Sequence, residues 1–288
     1  MGLFGLGGVP VKREKIADLW ALLILLAGAI FMVAPFLWTV STSLKSQRMI
    51  FDMPPQWIPD PVSFANYRDV WGQSPLLYGF MNSLIIVAAV LTIGMLVSAM
   101  AAYAFGKFEF PFKGVLFMGL LGTMMIPYSV VMIPQYIGFS ELNWVDTLLP
   151  LIVPGLFGNI VVIFFIRQYL QGALPNDLIE AAKIDGCGFF RTFWSIAMPT
   201  MKPALAAQAA LSFMGIWNDF LGPLIYLHTP EKQTIQVLIA SMQALYISQS
   251  NYPMIMAAAV IAMIPVIVVF FFCQRYFIES LAISGIKG

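Results

Sequence analysis

Six long apolar runs, near residues 19–40, 76–105, 112–137, 148–170, 203–226 and 254–277, constrain this 288-residue chain more than any other feature. Crossing about 30 Å of hydrocarbon at 1.5 Å per residue takes roughly 20 helical residues, and each run reaches or approaches that length. Lipid offers no hydrogen-bond partners, so backbone groups must be satisfied inside the segment, which selects helices over open strands. The expected fold class is therefore all-α: a polytopic membrane protein of about six transmembrane helices. With 60% hydrophobic residues, little chain is left over. Residues 1–288 read as a single transmembrane domain without an internal repeat or low-complexity linker.

Orientation follows from Lys and Arg, which are enriched in cytoplasmic segments. With both termini cytoplasmic, the inside segments hold 11 of these residues and the outside segments 4, namely Lys45, Arg48, Arg68 and Lys232. The first run follows Lys12, Arg13 and Lys15. It is too long for a cleaved signal peptide and has no small-residue cleavage pattern, so it reads as a retained span. Cys187 and Cys273 both fall on the cytoplasmic side, where a disulfide framework is not expected. The first outside segment, 41–75, is rich in proline, with Phe64, Tyr67 and Trp71 placed for the membrane interface. The last, 228–252, contains apolar residues at helical spacing over Ile235–Leu245. They form a face that an external partner could meet or that could lie on the membrane.

Catalytic chemistry has no foothold. Gly106–Lys107 lacks the glycine five residues earlier that a phosphate-binding loop needs, and there is no His-Glu-x-x-His or closely spaced cysteine pair. The single histidine, His228, lies in a loop. A net charge of +1 gives no basic character suited to nucleic acid.

Polar residues inside the apolar runs carry more information, because an ionisable group in lipid is costly and usually functional. Asp219, beside Asn218, is the main case. It either pairs across helices to fix the fold or faces a watery path. Asn82, Gln135, Asn159 and Gln208 add amides suited to a neutral hydroxylated solute. Tyr128, Tyr136 and Trp217 offer aromatic faces that serve a sugar or ordinary packing equally well. Pro127, Pro134, Pro150 and Pro154 should bend or break the third and fourth runs.

The most polar interruption is 175–199, which gathers Asp177, Glu180, Lys183, Asp185 and Arg191 in a chain only 10% charged. Its spacing predicts two short helices hinged at 186–188, with Asp177 and Glu180 in a capping-box relation and Gly186 ending the first helix. Leu178, Ala181, Ala182 and Asp185 share a face at helical spacing. On spacing alone, the segment is either an amphipathic connector or a docking element.

Glu180-Ala181-Ala182, Asp185-Gly186 and the closing Ile196-Ala197-Met198-Pro199 resemble the EAA loop of membrane subunits of ATP-binding-cassette importers. Within that superfamily the chain is similar to the smaller membrane subunit of maltose-type sugar importers. Further similarity lies in 35–45, in 217–223 and in 274–277 and 286–288. Cys187 and Met198 depart from the usual Ala and Leu.

The resemblance implies the type I importer transmembrane fold in a prokaryotic plasma membrane. It also implies a second homologous permease, two cytoplasmic ATPase subunits holding ATP and Mg²⁺, and an extracytoplasmic solute-binding protein. In that setting Asp177, Glu180, Ala181, Ala182, Asp185 and Gly186 contact the ATPase. Asn82, Tyr128, Gln135, Asn159, Gln208, Trp217, Asn218 and Asp219 are candidates for the solute path. This chain itself would be no enzyme and hold no cofactor. The competing reading is a secondary transporter driven by an ion gradient, which predicts buried acids on several spans.

Overall fold

The computed structural model describes residues 11–50, 52–245 and 251–285, so the expectations for 286–288 lie outside the described residues. Among them regular structure is entirely helical: α1 (Val11–Ser43), α2 (Ala65–Gln73), α3 (Leu76–Ala89), α4 (Met95–Lys107), α5 (Lys113–Thr123), α6 (Tyr128–Glu141) and α7 (Leu149–Leu156). Then come α8 (Ile160–Ala173), α9 (Asn176–Ile184), α10 (Phe189–Thr192), α11 (Met198–Trp217), α12 (Leu221–Tyr226), α13 (Ile235–Leu245) and α14 (Tyr252–Gly285). Four described stretches are long and apolar enough to cross a membrane: Asp18–Ser43, Leu76–Lys107, Leu149–Ala173 and Tyr252–Gln274. Counting α5 and α6 as one bent span makes five.

The remaining run, 203–226, differs for a local reason. Helix α11 has the length, but Lys202, Gln208 and Ser212 make it less apolar, and the helix stops at Trp217. The run at 112–137 is likewise not one rod. Helices α5 and α6 meet at 93° because Pro127 sits in extended geometry between them. Proline supplies no N–H and disfavours helix at the residue before it. Pro134, in contrast, is absorbed inside α6.

The described residues fall into two compact units. The first comprises 11–70 and 251–260. Here α1 presents its apolar surface outward along the whole span. The segment after it is folded back on polar contacts. Asn66 donates to the carbonyls of Ser43 and Lys45 at 2.8 and 2.9 Å, and Ser43 Oγ meets Tyr67 Oη at 2.7 Å. Lys45 is buried, donating to the Gln56 carbonyl with its ammonium 4.0 Å from the Trp38 ring. That burial pushes its pKa below the usual lysine value.

The second unit, 71–245 with 261–285, holds the main core. Tyr103, Ile166, Leu170, Phe193 and Met201 form its fully buried centre, drawn from α4, α8 and α11 with the π-helical turn Phe193–Ala197. Helices α3 and α4 run on through a second π-helical turn, Val90–Gly94. Helix α13 covers the span forecast for it, but its apolar face is not open to a partner. Ile235, Val237 and Leu238 are buried, and Ile235 and Leu238 meet Gly79 of α3, where a Cβ would lie 2.3 Å from Leu238 Cδ1.

Candidate functional site

Two places in the second unit gather the residues singled out from the sequence. The first is a cavity of about 490 Å³ walled by the Val90–Gly94 turn, the α7–α8 junction and α11. Three breaks in helical regularity meet there, and each has a cause. At the π turn, Gly94 comes so close to α7 that a Cβ on it would lie 2.2 Å from the Gly155 carbonyl oxygen. Only glycine permits that approach. At the α7–α8 junction, Gly158 has φ +99°, and Asn159 restarts the chain as the N-cap of α8. The Asn159 side chain accepts from the amides of Val161 (2.9 Å) and Val162 (3.3 Å). Its own N–H donates to Ser98 Oγ, which donates in turn to the Gly94 carbonyl. One serine thus ties two breaks together. The third break lies between α11 and α12, where the Asp219 carboxylate turns back to accept from the Gly222 amide at 3.4 Å.

Gln208, Ser212, Gly215 and Asp219 place a polar and small-residue stripe of α11 and its end along the cavity wall, with Asn159, Ser83 and Thr234 opposite an otherwise apolar lining. A mostly apolar concavity with a few convergent polar groups suits a small polar molecule. Asn159, Gln208 and Asp219 are therefore brought together.

The other path candidates are engaged elsewhere. Asn82 donates to the carbonyls of Glu231 and Gln233. Trp217 is buried, donates Nε1–H to the Ala262 carbonyl at 3.0 Å and stacks on Phe213 at 5.7 Å. Asn218 donates to the Met214 carbonyl of its own helix. Tyr128 meets Tyr226 hydroxyl to hydroxyl at 3.4 Å, and Tyr136 stacks on Tyr226 at 6.3 Å. Gln135 is exposed on α6. None of these lines the cavity. Of the two alternatives for Asp219, no charged partner across helices is found among the described residues, and its carboxylate accepts from its own chain while lining the cavity.

The second place is the 175–199 segment. Helix α9 follows Pro175, which occupies the N-cap position without a side-chain cap. The capping box of Asp177 and Glu180 is thus not formed. Asp177 instead lies in the first turn, where its negative charge suits the helix dipole. The far end agrees with the sequence. Gly186 has φ +78°, its amide donates to the Lys183 carbonyl at 3.0 Å, and the Cys187 amide donates to the Ala182 carbonyl at 2.8 Å. That pair of bonds is the Schellman arrangement.

The shared face needs one correction. Ala182 is 4% exposed and turns inward with Ile179, whereas Leu178, Ala181, Ile184 and Asp185 lie outward. A three-residue step keeps 179 and 182 on one side of a helix, and the core claims that side. Outside, Ile184 is 87% exposed and Phe190 and Trp194 are open beyond it. Ile184 and Phe190 thus belong to the outward surface, although neither carries a charge or a hinge that would mark it in the sequence.

Lys107 was missed as well. Its ammonium binds the Leu174 carbonyl and Asn176 Oδ1 (3.0 Å), fastening the end of α4 to the start of α9. Tyr103, Phe108, Phe189 and Phe193 fill the space beneath, with ring centroids 5.1–5.7 Å apart. The sequence signal was available: Lys107 is the first charged residue after the 37 uncharged residues 70–106.

The family model described as "Binding-protein-dependent transport system inner membrane component" matches residues 94–282, a stretch that holds the α9 segment and most of the cavity wall. The chain belongs to this family. Among curated relatives, the arabinooligosaccharides transport system permease protein AraQ of Bacillus subtilis is 36% identical over 231 residues, 80% of this chain and 81% of that protein. The diacetylchitobiose uptake system permease protein NgcG of Streptomyces coelicolor is 30% identical over 253 residues, covering 88% and 83%. The sn-glycerol-3-phosphate transport system permease protein UgpE of Yersinia pestis is 29% identical over 280 residues, covering 95% and 99%. A solved bacterial ABC transporter involved in import of the acidic polysaccharide alginate has a chain with TM-score 0.81 at 21% identity, covering 96% of this chain and 100% of its own, so the fold is shared.

This inner membrane component is accordingly an all-α, multi-pass permease of a binding-protein-dependent system, with the type I importer transmembrane fold. It is a transport subunit, not an enzyme, and membership speaks against an ion-gradient-driven secondary transporter.

Proposed function

We propose that this chain is one of two permease subunits of an ATP-driven importer for a neutral carbohydrate, and that its 175–199 segment receives the motion of a separate ATPase. The observation that carries the reading is the construction of α9. Its inner face is locked into the core by Ile179 and Ala182, its start is held by Lys107, and its outer face is left open with Leu178, Ala181, Ile184 and Asp185. An exposed helix rigidly tied to the spans is suited to pass a push from a partner to the walls of the cavity. Glu180, also exposed, supplies polar contact, and Gly186 sets the exit angle.

Two copies of the ATPase bind ATP and Mg²⁺, a homologous permease completes the path, and an extracytoplasmic binding protein delivers the solute. Both termini and the α9 segment lie in the cytoplasm, in accord with the Lys and Arg distribution. The carbohydrate assignment is supported by the relatives named for arabinooligosaccharides and diacetylchitobiose, together with the amide and hydroxyl groups of Gln208, Asn159 and Ser212 in the cavity. The test is uptake of labelled neutral oligosaccharides into proteoliposomes holding the purified complex. Uptake that needs both ATP and the binding protein supports the reading, whereas uptake driven by a proton or sodium gradient alone refutes it.

A further inference from the structure

A second concavity, of about 450 Å³, lies where α4 hands over to α5, and no residue of its lining is shared with the solute cavity. It has a different character. The rings of Phe105, Phe110 and Phe117 line it together with two cationic side chains, Arg167 of α8 and Lys113 of α5, and the carboxylate of Glu109. Arg167 is held in place from two sides: Nε donates to the Phe105 carbonyl at 3.1 Å, and the guanidinium lies 4.3 Å from the Phe117 ring centroid. Its Nη1 reaches Gln168 at 3.3 Å. A guanidinium has five N–H donors, so most of its capacity is still open. Lys113 spends one donor on Glu109 at 2.9 Å, and Glu109 is 91% exposed, free to swing aside. One anchored guanidinium and one ammonium thus face a single, highly exposed carboxylate.

What adjoins the pocket decides what fits it. From its mouth, α5 runs on with Val115, Leu116 and Met118 exposed, 71%, 52% and 70% respectively. In a membrane component such a face meets acyl chains. Basic pockets between membrane helices near the surface bind phospholipid head groups, because the phosphate is neutralised while its chains remain in hydrocarbon. Arginine suits a phosphate especially well through its planar fork of donors.

We propose that this pocket binds the phosphate of a glycerophospholipid, held by Arg167 and Lys113, with the acyl chains laid along α5. The leaflet is the cytoplasmic one in the orientation proposed above. The binding itself requires only that the chain be embedded in a membrane, so it stands or falls separately from the coupling role of α9.

The experiment is native mass spectrometry of the complex purified in mild detergent, followed by titration of the delipidated complex with short-chain phosphatidylglycerol, short-chain phosphatidylethanolamine or inorganic phosphate. The expected result is retained phospholipid on the wild type, with retention weakened about fivefold for each basic group removed in Lys113→Gln and in Arg167→Gln/Lys113→Gln. Arg167→Lys/Lys113→Gln keeps one charge and should recover part of the double variant's loss. Glu109→Gln removes a nearly fully exposed carboxylate that no packing depends on, and it should strengthen phosphatidylglycerol binding. Equal retention in all variants, or displacement by inorganic phosphate as effective as by phosphatidylglycerol, would overturn the proposal. So would a photo-crosslinker at Val115 that captures another subunit instead of lipid.

Discussion

Gly186 offers the cleanest perturbation of the α9 segment, because its substitution strains the backbone and nothing else. It sits at φ +78°, and no heavy atom lies within 4 Å of where a Cβ would stand. Gly186→Ala therefore adds no clash. It costs the intrinsic penalty of an L-residue in left-handed geometry, about 1–2 kcal/mol. That lowers the population of the intact turn, relative to its alternatives, by a factor of about 5–30. Gly186→Asn should cost less, since Asn adopts this region more readily. Gly186→Pro should cost most. Proline is fixed near φ −65°, and it deletes the N–H that donates to the Lys183 carbonyl. All three changes sit on the surface, 11 residues beyond Pro175, and should leave the membrane core assembled. The assay is uptake per ATP hydrolysed in proteoliposomes, with subunit composition checked on the same samples. Coupling should decline in the order Asn, Ala, Pro while ATP hydrolysis persists. An assembled Gly186→Pro complex with the wild-type ratio of uptake to hydrolysis would refute the coupling role of this turn.

Three further outcomes follow from the geometry. Gly94→Ala puts a methyl 2.2 Å from the Gly155 carbonyl oxygen, so the π turn and α7 must part; a loss of about 1–3 kcal/mol is expected from overpacking, read as a lower thermal midpoint, and an unchanged midpoint would show that the approach is not tight. Asp219→Ala should cost about 1 kcal/mol through loss of the bond from the Gly222 amide and impair assembly at least as much as transport, whereas Asp219→Asn keeps an acceptor and should be milder; a fully assembled Asp219→Ala complex with altered solute selectivity would make this a path residue instead. Asp146 is opposed by burial, but it is held below the usual carboxylate pKa by the hydroxyl and amide of Thr229, the amide of His228 and the ammonium of Lys232. Its folded pKa is depressed, so its stabilisation is full above the ordinary value of 3.8 and is lost as pH falls below that. Wild type should lose thermal stability in that window more steeply than Asp146→Asn, and identical acid profiles would contradict the assignment.

Features set by a residue's own backbone preference were legible in the sequence. The break at Pro127, the left-handed Gly186 and the helix at Ile235–Leu245 each follow from local chemistry, and each stands where expected. Features that need a second element were not. The π turn at Val90–Gly94 becomes intelligible only beside Gly155, which lies sixty residues away and lets the backbones meet. Ala182 and Leu178 are equivalent by helical spacing until the core takes Ala182. The amides were grouped by chemistry alone, yet Asn82 and Asn218 are spent on backbone carbonyls whereas Asn159 and Gln208 reach the cavity. The capping box failed because Pro175 already starts α9 one residue ahead of Asn176, which leaves Asp177 inside the first turn.

The central claim is that the open face of α9 meets an ATPase. The most direct measurement is affinity purification of this chain from its native membrane, wild type beside Glu180→Lys, with everything that co-purifies identified. An ATPase subunit that accompanies the wild type and is lost or weakened in Glu180→Lys is the predicted result. A chain that purifies without any ATPase, and still moves solute in vesicles lacking ATP, would contradict the account.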